Sequence, residues 1–299
     1  MQNVKSKKIK SRSNQTANAR WDMIWSNALV IIVTLLWLVP VIWVVLRAFG
    51  KYDGQGYVSQ TFFPTEYSMK NFVDLFTYKS LRSNPLPDFV QWLLNTFIIA
   101  IVNTILTTFF TILTAYVLSR FRFGGRKLMM NIALILGMFP GFMAMIAVYL
   151  ILNMLNMINS IWSLLIYYVA GAGLGFFTAK GYFDTIGKEL DEAAMLDGAS
   201  KAKIFFKIFL PLAKPIIIYT ALLAFMAPWS DYILAGLVLS GNNQTVAVGL
   251  YNWMDVSNVN QFFGMFCAAA VIVAIPTVTL YISLQKFFIS GISAGAVKG

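Results

Sequence analysis

The sequence predicts an all-α protein that crosses a membrane six times, and two observations lead to this fold. Hydrophobic residues make up 59% of the 299 residues and charged residues only 12%, a composition typical of integral membrane proteins. Six apolar runs are also long enough to cross a hydrocarbon layer about 30 Å thick. We place these spans at 27–46, 92–118, 128–152, 161–179, 212–239 and 262–284.

The first span follows a basic amino-terminal stretch that resembles the start of a signal peptide. Its apolar run is too long for a signal peptide and no small-residue cleavage site follows it, so we interpret it as a retained membrane helix. Proline or glycine interrupts most of the later spans. Broken backbone at membrane depth is tolerated where it is buried in protein or lines a wet cavity. For the glycines at 171–175, both close helix packing and a moving hinge remain open. The interruptions are Pro140–Gly141, Gly171, Gly173, Gly175, Pro228 and Pro276.

The distribution of Lys and Arg predicts the orientation. Eighteen of the 23 basic residues fall in the amino-terminal stretch, the links at 119–127 and 180–215, and the carboxy-terminal tail, and five fall on the other side. Because basic loops stay in the cytoplasm, both termini are expected there. The predicted segments are a basic tail (1–26), a first membrane helix (27–48), an extracytoplasmic loop (49–91), a five-helix core (92–285) with a charged segment (188–208), and a cytoplasmic tail (286–299).

Several kinds of chemistry are excluded by composition. The chain has one cysteine, Cys267, and no histidine, which rules out an internal disulfide, Cys/His metal sites and a Ser-His-Asp triad. The nearest approach to a phosphate-binding loop, Gly187-Lys188-Glu189, has the wrong spacing and lacks the final Ser or Thr. We therefore predict no catalytic residue, metal site or cofactor in this chain. The net charge of +11 follows from topology, so membrane lipid rather than nucleic acid is the expected partner.

The charged segment at 188–208 is the most informative part of the chain. Its first part, 188–195, is predicted to be a short helix whose early acidic residues favour the helix dipole. Small Ala193 and Ala194 would let another protein approach closely, Glu192 would offer it a charge, and Gly198 would end the helix or permit a bend. The alternative is an amphipathic loop that lies on the membrane surface.

In this segment Glu192-Ala193-Ala194 is followed after three residues by Gly198, after nine more by Ile208, and after one more by Leu210-Pro211. This spacing resembles the EAA signature of membrane subunits of bacterial ATP-binding-cassette (ABC) importers. The resemblance implies the type I ABC importer permease fold. It also implies that this segment is a coupling helix that fits a cleft on a separate ATP-binding subunit. The residues to which it assigns this role are Glu192, Ala193, Ala194, Leu196, Asp197, Gly198, Ile208, Leu210 and Pro211.

Two further stretches are similar to the smaller membrane subunit of maltose/maltodextrin importers: the ending LQKFFISGISAGAVKG and the segment PWSDYILAGLVLS. The resemblance implies a bacterial inner-membrane importer of oligosaccharides that works by alternating access, and it leaves the sugar open. The implied partners are a second homologous permease subunit, two cytoplasmic ATP-binding subunits that hold ATP and Mg²⁺, and an extracytoplasmic sugar-binding protein. It further implies that Gly295, Lys298 and Gly299 contact the ATP-binding subunits, with a disordered tail as the alternative.

The substrate path is less well marked by the sequence. Asn103, Tyr167, Trp229 and Asp231 are candidates, because sugar sites combine aromatic faces with hydrogen-bonding groups. Each could instead bond a neighbouring helix. Asp231 should lie near the outer boundary of its span, where a helix-capping or gating role is as well supported as sugar contact.

Two other function classes compete with the importer. A stand-alone secondary transporter or channel would need charged relays at the bilayer midplane, and the spans contain almost none. An intramembrane enzyme would need a pair of acidic groups at one depth. Asp22, Asp231 and Asp255 fall near or outside span ends and form no such pair.

Overall fold

The computed structural model describes residues 2–51, 62–81 and 84–296. Within these residues the secondary structure is helical apart from one isolated antiparallel bridge between Gly50 and Tyr67. The all-α prediction is confirmed. The α-helices are α1 (Gln2–Ala48), α2 (Lys70–Thr77), α3 (Asp88–Arg120), α4 (Arg126–Met138), α5 (Gly141–Met154), α6 (Ile161–Asp184), α7 (Glu189–Leu196), α8 (Lys201–Ile204), α9 (Leu210–Leu212), α10 (Lys214–Ser230), α11 (Ile233–Val238), α12 (Val246–Trp253) and α13 (Val259–Ala296). A π-helical turn (Phe205–Phe209) joins α8 to α9, and a 3₁₀ turn (Gly241–Asn243) precedes α12.

Four helices of the described chain are long and apolar enough to cross a membrane: Met23–Ala48 within α1, α3, α6, and Val259–Gln285 within α13. Two bent pairs, α4 with α5 and Lys201–Leu212 with α10, bring the number to six if each pair crosses once. Helical backbone also continues amino-terminally from the first span through the polar stretch, as far as Gln2.

The third predicted span is not one helix. We expected a continuous helix over 128–152, but the backbone bends by 100° between α4 and α5. Phe139, at the break, has an extended conformation (ψ 138°), and Pro140 follows it. Proline disfavours helical backbone at the preceding residue and cannot donate an amide hydrogen bond, so the helix ends here and a second one begins.

The fifth predicted span is also shorter than expected. The sequence predicts a helix over 212–239, whereas α10 ends at Ser230 and Asp231 adopts an extended conformation (ψ 102°). A separate short helix, α11, then starts at Ile233. The preceding segment, Lys201–Leu212, meets α10 at an angle of 78° at Ala213. The predicted span is therefore divided into α10, which counts as a crossing only together with Lys201–Leu212, and the separate short helix α11.

The long helix α3 is the centre of the fold. At 1.5 Å per residue its 33 residues extend about 50 Å, and α6 and α10 pack along it. Three buried apolar clusters follow one another along this helix. One surrounds Phe89 and Trp92, one Ile99, and one Tyr116. We call the end of α3 at Arg120 the basic end of the bundle, because Arg120, Arg122, Arg126 and Lys188 lie there.

The end of α1 is fixed to the bundle by one buried amide. Asn71, on α2, donates to the carbonyl oxygens of Ala48 (3.0 Å) and Gly50 (2.8 Å). These are carbonyls at the end of α1 that no longer have a helical partner. Most of the apolar side chains between Trp21 and Val45 are exposed, and the last turns of α1 pack against α13. The described parts of the loop 49–91 thus tie the first helix to the core.

Candidate functional site

The helix α7 has the ends that its sequence predicts. Glu189, Asp191 and Glu192 occupy its first turn, where carboxylates stabilise the helix dipole. At the other end Gly198 has φ +78°, and its amide donates to Met195. The amide of Ala199 donates to Ala194 at 2.9 Å. This pair of bonds is the Schellman motif, which needs a left-handed residue after the helix, so Gly198 ends α7 as predicted from its position.

One face of α7 is turned away from the protein. Ala194 and the paired Asp191 face the bundle. Glu189, Glu192, Ala193 and Leu196, spaced at helical intervals of three and four, form the opposite side. We call these four residues the outer face of α7. Its Leu196 side chain is 89% exposed, the highest value among the large apolar residues of the described chain. The outer face of α7 thus presents two carboxylates, Glu189 and Glu192, followed by a strongly exposed leucine.

A single arginine fixes α7 to the membrane helices. Arg120, in the last turn of α3, forms an ion pair with Asp191 (Nε to Oδ2, 3.0 Å). Its Nη2 donates to the carbonyl of Ile186 (2.8 Å), and its guanidinium lies 4.6 Å from the centre of the Phe209 ring. The pair is buried, with side-chain exposures of 6% for Arg120 and 13% for Asp191. Burial raises the pKa of Asp191, Arg120 lowers it, and Glu192 raises it, with burial dominant. We call these contacts the Arg120 anchor.

The residues after α7 return to the same cluster. Phe205 and Phe209, on the π-helical turn, pack on Tyr116 with ring centroids 4.6 and 4.8 Å away. Ile208 and Leu210 are half-buried beside them, and Pro211 is exposed in α9. The wider π turn lies directly before the proline, where a regular helical hydrogen bond would be missing. The first part of the signature is thus connected to α3 through the Arg120 anchor, and the residues around its second part pack on α3 through Phe205 and Phe209.

Gly198 also leaves space next to the outer face of α7. No atom of the described chain lies within 4 Å of the position that a Cβ would occupy at this glycine. We expect Gly198→Asn to retain most transport, because Asn tolerates left-handed backbone, and Gly198→Trp to abolish it by blocking a partner. Uptake by cells that express equal amounts of each variant would test this. Normal uptake with Gly198→Trp would contradict a close contact at this position.

Asn103 has a partner in the structure that explains its presence in a membrane helix. Pro228 lies inside α10 and cannot donate a hydrogen bond to the carbonyl of Ala224, four residues earlier. The Asn103 side-chain amide donates to that carbonyl at 2.7 Å, and its oxygen accepts from Thr107. Asn103 is buried. The Asn103 side chain thus bonds the Ala224 carbonyl that Pro228 leaves without a partner. This contact is the bond to a neighbouring helix that we gave as the alternative to sugar contact.

Asp231 lies between three elements. Its Oδ2 accepts from Tyr168 Oη on α6 (2.9 Å), and its Oδ1 accepts from the amide of Leu234 in the first turn of α11 (3.0 Å). Tyr167 packs beside Tyr168 with ring centroids 5.8 Å apart. Asp231 therefore has the capping contact that we considered for it, and it also links α6 to the break after α10.

Trp229 lies next to Asp231 but is buried. Its ring contacts Phe97 on α3 edge-to-face, with centroids 4.9 Å apart. Its Nε1 has no hydrogen-bond partner among the described residues. Of the four path candidates, Tyr167 and Asp231 lie close together, Trp229 is buried against Phe97, and Asn103 lies further along α3.

Sequence reasoning missed three side chains that the structure makes prominent. In the sequence, Arg120 counts only as one of the basic residues that predict the orientation. Its pairing with Asp191 joins residues 71 positions apart. Tyr232 and Tyr251 stack with centroids 4.7 Å apart and are both exposed next to Asp231. The only sequence feature that could have indicated this pair is that Tyr232 directly follows Asp231. Gly295 lies in α13, and Lys298 and Gly299 lie outside the described residues.

Comparison with known proteins identifies the family. Residues 107–293 match the model of the family described as binding-protein-dependent transport system inner membrane component. This chain is a member of that family. The matched region contains α7, the Arg120 anchor and the outer face, so the charged segment falls within the shared part of the family. The predicted function of a membrane permease subunit and the predicted multi-pass topology are confirmed.

The permease has curated relatives along nearly its whole length. It is 34% identical over 280 residues to the galactooligosaccharides transport system permease protein GanQ of Bacillus subtilis, covering 93% of this chain and 96% of GanQ. It is 38% identical to the maltodextrin transport system permease protein MdxG of the same species, over 71% and 76% of the two chains.

Its fold also matches a solved structure of a bacterial ABC transporter involved in import of the acidic polysaccharide alginate. The match has a TM-score of 0.75 at 24% identity and covers 90% of this permease and 97% of that chain. The predicted fold of an ABC importer permease is confirmed by this match.

Proposed function

We propose that this permease moves an oligosaccharide of the maltodextrin kind across the bacterial inner membrane, driven by ATP hydrolysis in separate subunits. The outer face of α7, held rigidly by the Arg120 anchor, is the observation that carries the proposal. One side of this short helix is buried and ion-paired, and the other side is exposed and carries the 89% exposed Leu196. Such a helix is suited to transmit force from a partner to α3. The names of GanQ and MdxG support an oligosaccharide as cargo.

The assembly that we propose has the partners predicted from the sequence. A binding protein, which the family description names, delivers sugar on the side opposite the basic end. A second permease subunit covers the exposed apolar side chains of α5, and two ATP-binding subunits receive the outer face of α7 in each half. Closure of the ATP-binding subunits pushes α7, and α3 transmits the movement along its length. Both termini and the basic end then lie in the cytoplasm.

The sugar path in this proposal begins at the side of the bundle opposite the basic end. There, Asp231 offers a carboxylate held by Tyr168 and Leu234, and the stacked Tyr232 and Tyr251 offer exposed aromatic faces. Aromatic faces next to fixed hydrogen-bonding groups are the usual means of holding sugars. Tyr167 and Trp229 lie close to this group and complete the candidate path.

A single-cysteine experiment tests the orientation and the partner together. Cys267 is the only cysteine in the chain and is fully buried, so a new surface cysteine reacts selectively. We expect Leu196→Cys to react with a membrane-impermeant maleimide in inside-out vesicles and not in intact cells. A photoactivatable maleimide at this position should cross-link an ATP-hydrolysing subunit.

Two matched variants control the experiment. Val256→Cys, at an 86% exposed position between α12 and α13, should be labelled in intact cells, and Ala194→Cys, on the buried side of α7, should be labelled in neither preparation. Labelling of Leu196→Cys from outside the cell, or failure to cross-link any ATPase, would overturn the proposed function.

A further inference from the structure

A pocket at the basic end carries more positive charge than the chain neutralises. Its lining residues are Ser119, Arg120, Arg122, Arg126, Asp184 and Lys188, and its volume is about 260 Å³. We call it the basic pocket. It lies where α3 and α6 end and α4 begins. Its volume falls below the usual 300–1,000 Å³ of sites for whole small molecules, and this favours a single charged group as occupant.

The one carboxylate in the basic pocket is already paired. Lys180 forms an ion pair with Asp184 Oδ2 at 2.5 Å, and Ser119 Oγ donates to Oδ1 at 2.7 Å. The charge of Arg120 is matched by Asp191 in the Arg120 anchor. Arg120 and Lys180 already match the charges of Asp191 and Asp184, so the further cations leave the basic pocket with a net positive charge.

Three cations in the basic pocket form no ion pair among the described residues, although Arg126 lies close enough to Asp184 to interact with its charge. Within residues 2–51, 62–81 and 84–296, no carboxylate oxygen lies within 4.0 Å of Arg122, Arg126 or Lys188. Arg126 is held in place because its Nε donates to the carbonyl of Leu118 at 2.8 Å. Arg126 is also the first residue of α4, whose positive dipole end adds to the field. Like charges gathered in a cavity favour the binding of an anion.

The surface next to the basic pocket indicates what kind of anion it is. Beyond Arg126, α4 exposes Leu128, Ile132 and Ile135, which share one side of the helix by their spacing. An apolar stripe that begins at a cation cluster fits a phosphate attached to a hydrocarbon chain. A free phosphate would use only the pocket. Basic pockets between membrane helices on the cytoplasmic side are known sites for acidic headgroups.

We propose that the basic pocket binds the phosphate of an anionic phospholipid from the inner leaflet, whose acyl chain lies along Leu128, Ile132 and Ile135. The location in the inner leaflet rests on the proposed orientation of the permease, but the binding itself does not require transport. Because Arg120 belongs to both the basic pocket and the Arg120 anchor, the lipid lies directly beside the connection between α3 and α7.

Lipid retention on the purified full-length permease tests this site. The protein, in a phosphate-free detergent, is titrated with phosphatidylglycerol or phosphatidylcholine, and bound lipid is counted by intact-protein mass spectrometry. We expect phosphatidylglycerol to bind at least tenfold more tightly. Each basic side chain near a lipid surface contributes about a factor of five in affinity, so the double variant Arg122→Gln/Arg126→Gln should lose at least tenfold.

A matched double variant provides the control. Lys203→Gln/Lys214→Gln removes the same charge at the same end of the bundle, outside the basic pocket, and should retain the wild-type preference. Equal loss in both double variants, or equal binding of the two lipids, would overturn the site. Competition by inorganic phosphate at the lipid's own concentration would also overturn it, because the site would then recognise phosphate without the hydrocarbon chain. Retention is measured without partners, so its failure is separable from failure of the proposed transport function.

Discussion

Glu192→Lys is expected to reduce ATP-dependent sugar uptake below a tenth of the wild-type level while the permease still inserts and folds. Glu192 is exposed and forms no ion pair among the described residues, so its loss removes only a helix-dipole contribution of about 0.3–1 kcal/mol. A reversed charge at an interface instead opposes the partner by several kcal/mol. Uptake of labelled maltodextrin into vesicles, with and without ATP, measures the effect.

Two comparisons separate this result from a general change in charge. Glu192→Gln keeps the shape and removes the charge, and should lie between the wild type and Glu192→Lys. Lys127→Glu changes the charge by the same magnitude in the opposite direction, in a different cytoplasmic link, and should transport normally. Full uptake by Glu192→Lys would show that the outer face of α7 does not meet the ATP-binding subunit. Uptake that persists without ATP and stops when the ion gradient is dissipated would favour a secondary transporter.

Arg120→Ala is expected to uncouple the transporter and to destabilise the permease. Removing one partner of a buried ion pair costs about 3–5 kcal/mol, because the other charge stays buried without compensation. In this case α7 also loses its connection to Ile186 and Phe209. We expect the melting temperature in detergent to fall by several degrees. ATP hydrolysis by the assembled complex should no longer respond to the loaded binding protein.

The pH dependence of the Arg120→Ala variant follows from Asp191. Burial already raises the pKa of Asp191, and loss of the nearby guanidinium raises it further. A folded-state pKa above the unfolded value means that stability is greatest at low pH and is lost as pH rises through the folded pKa. The destabilisation by Arg120→Ala should therefore be smaller in mildly acidic buffer than at neutral pH.

Asp191→Asn and Lys127→Ala are the matched variants for this prediction. Asp191→Asn changes the shape little but leaves the buried Arg120 guanidinium without its counterion, so it should destabilise by an amount similar to Arg120→Ala. In the double variant Arg120→Ala/Asp191→Asn the two effects should not add, because both residues belong to one contact. Lys127→Ala, an exposed basic residue in the same link, should leave the melting temperature unchanged. An equal fall for Lys127→Ala would contradict the Arg120 anchor.

The sequence could predict the parts of this structure that depend on local pattern. Apolar runs identify spans because backbone groups in lipid must bond within their own helix, and Gly198 could be placed because a left-handed helix end requires glycine. The breaks were only partly predictable. Pro140 marked one interruption, but the 100° angle depends on how α5 packs against α11 and how α4 packs against α6.

Contacts between distant residues could not be predicted in the same way. Arg120 and Asp191 each look like ordinary surface charges in the sequence, and only the packing of α7 beneath α3 joins them. The same limit applies to the path candidates. Asn103 resembled a sugar ligand until the freed carbonyl of Ala224 was seen to be its partner, while Tyr232 and Tyr251 gained importance only through their stacking.

Pro228 and Asn103 should be inherited as a pair. A homologue with an ordinary residue at 228 would have an amide that competes for the Ala224 carbonyl, and the side-chain N–H of its asparagine at 103 would then be a buried donor without a partner. A homologue that keeps the proline but loses the asparagine would leave the carbonyl unsatisfied. Substitutions at these two sites, 125 positions apart, are therefore expected to co-vary across the family.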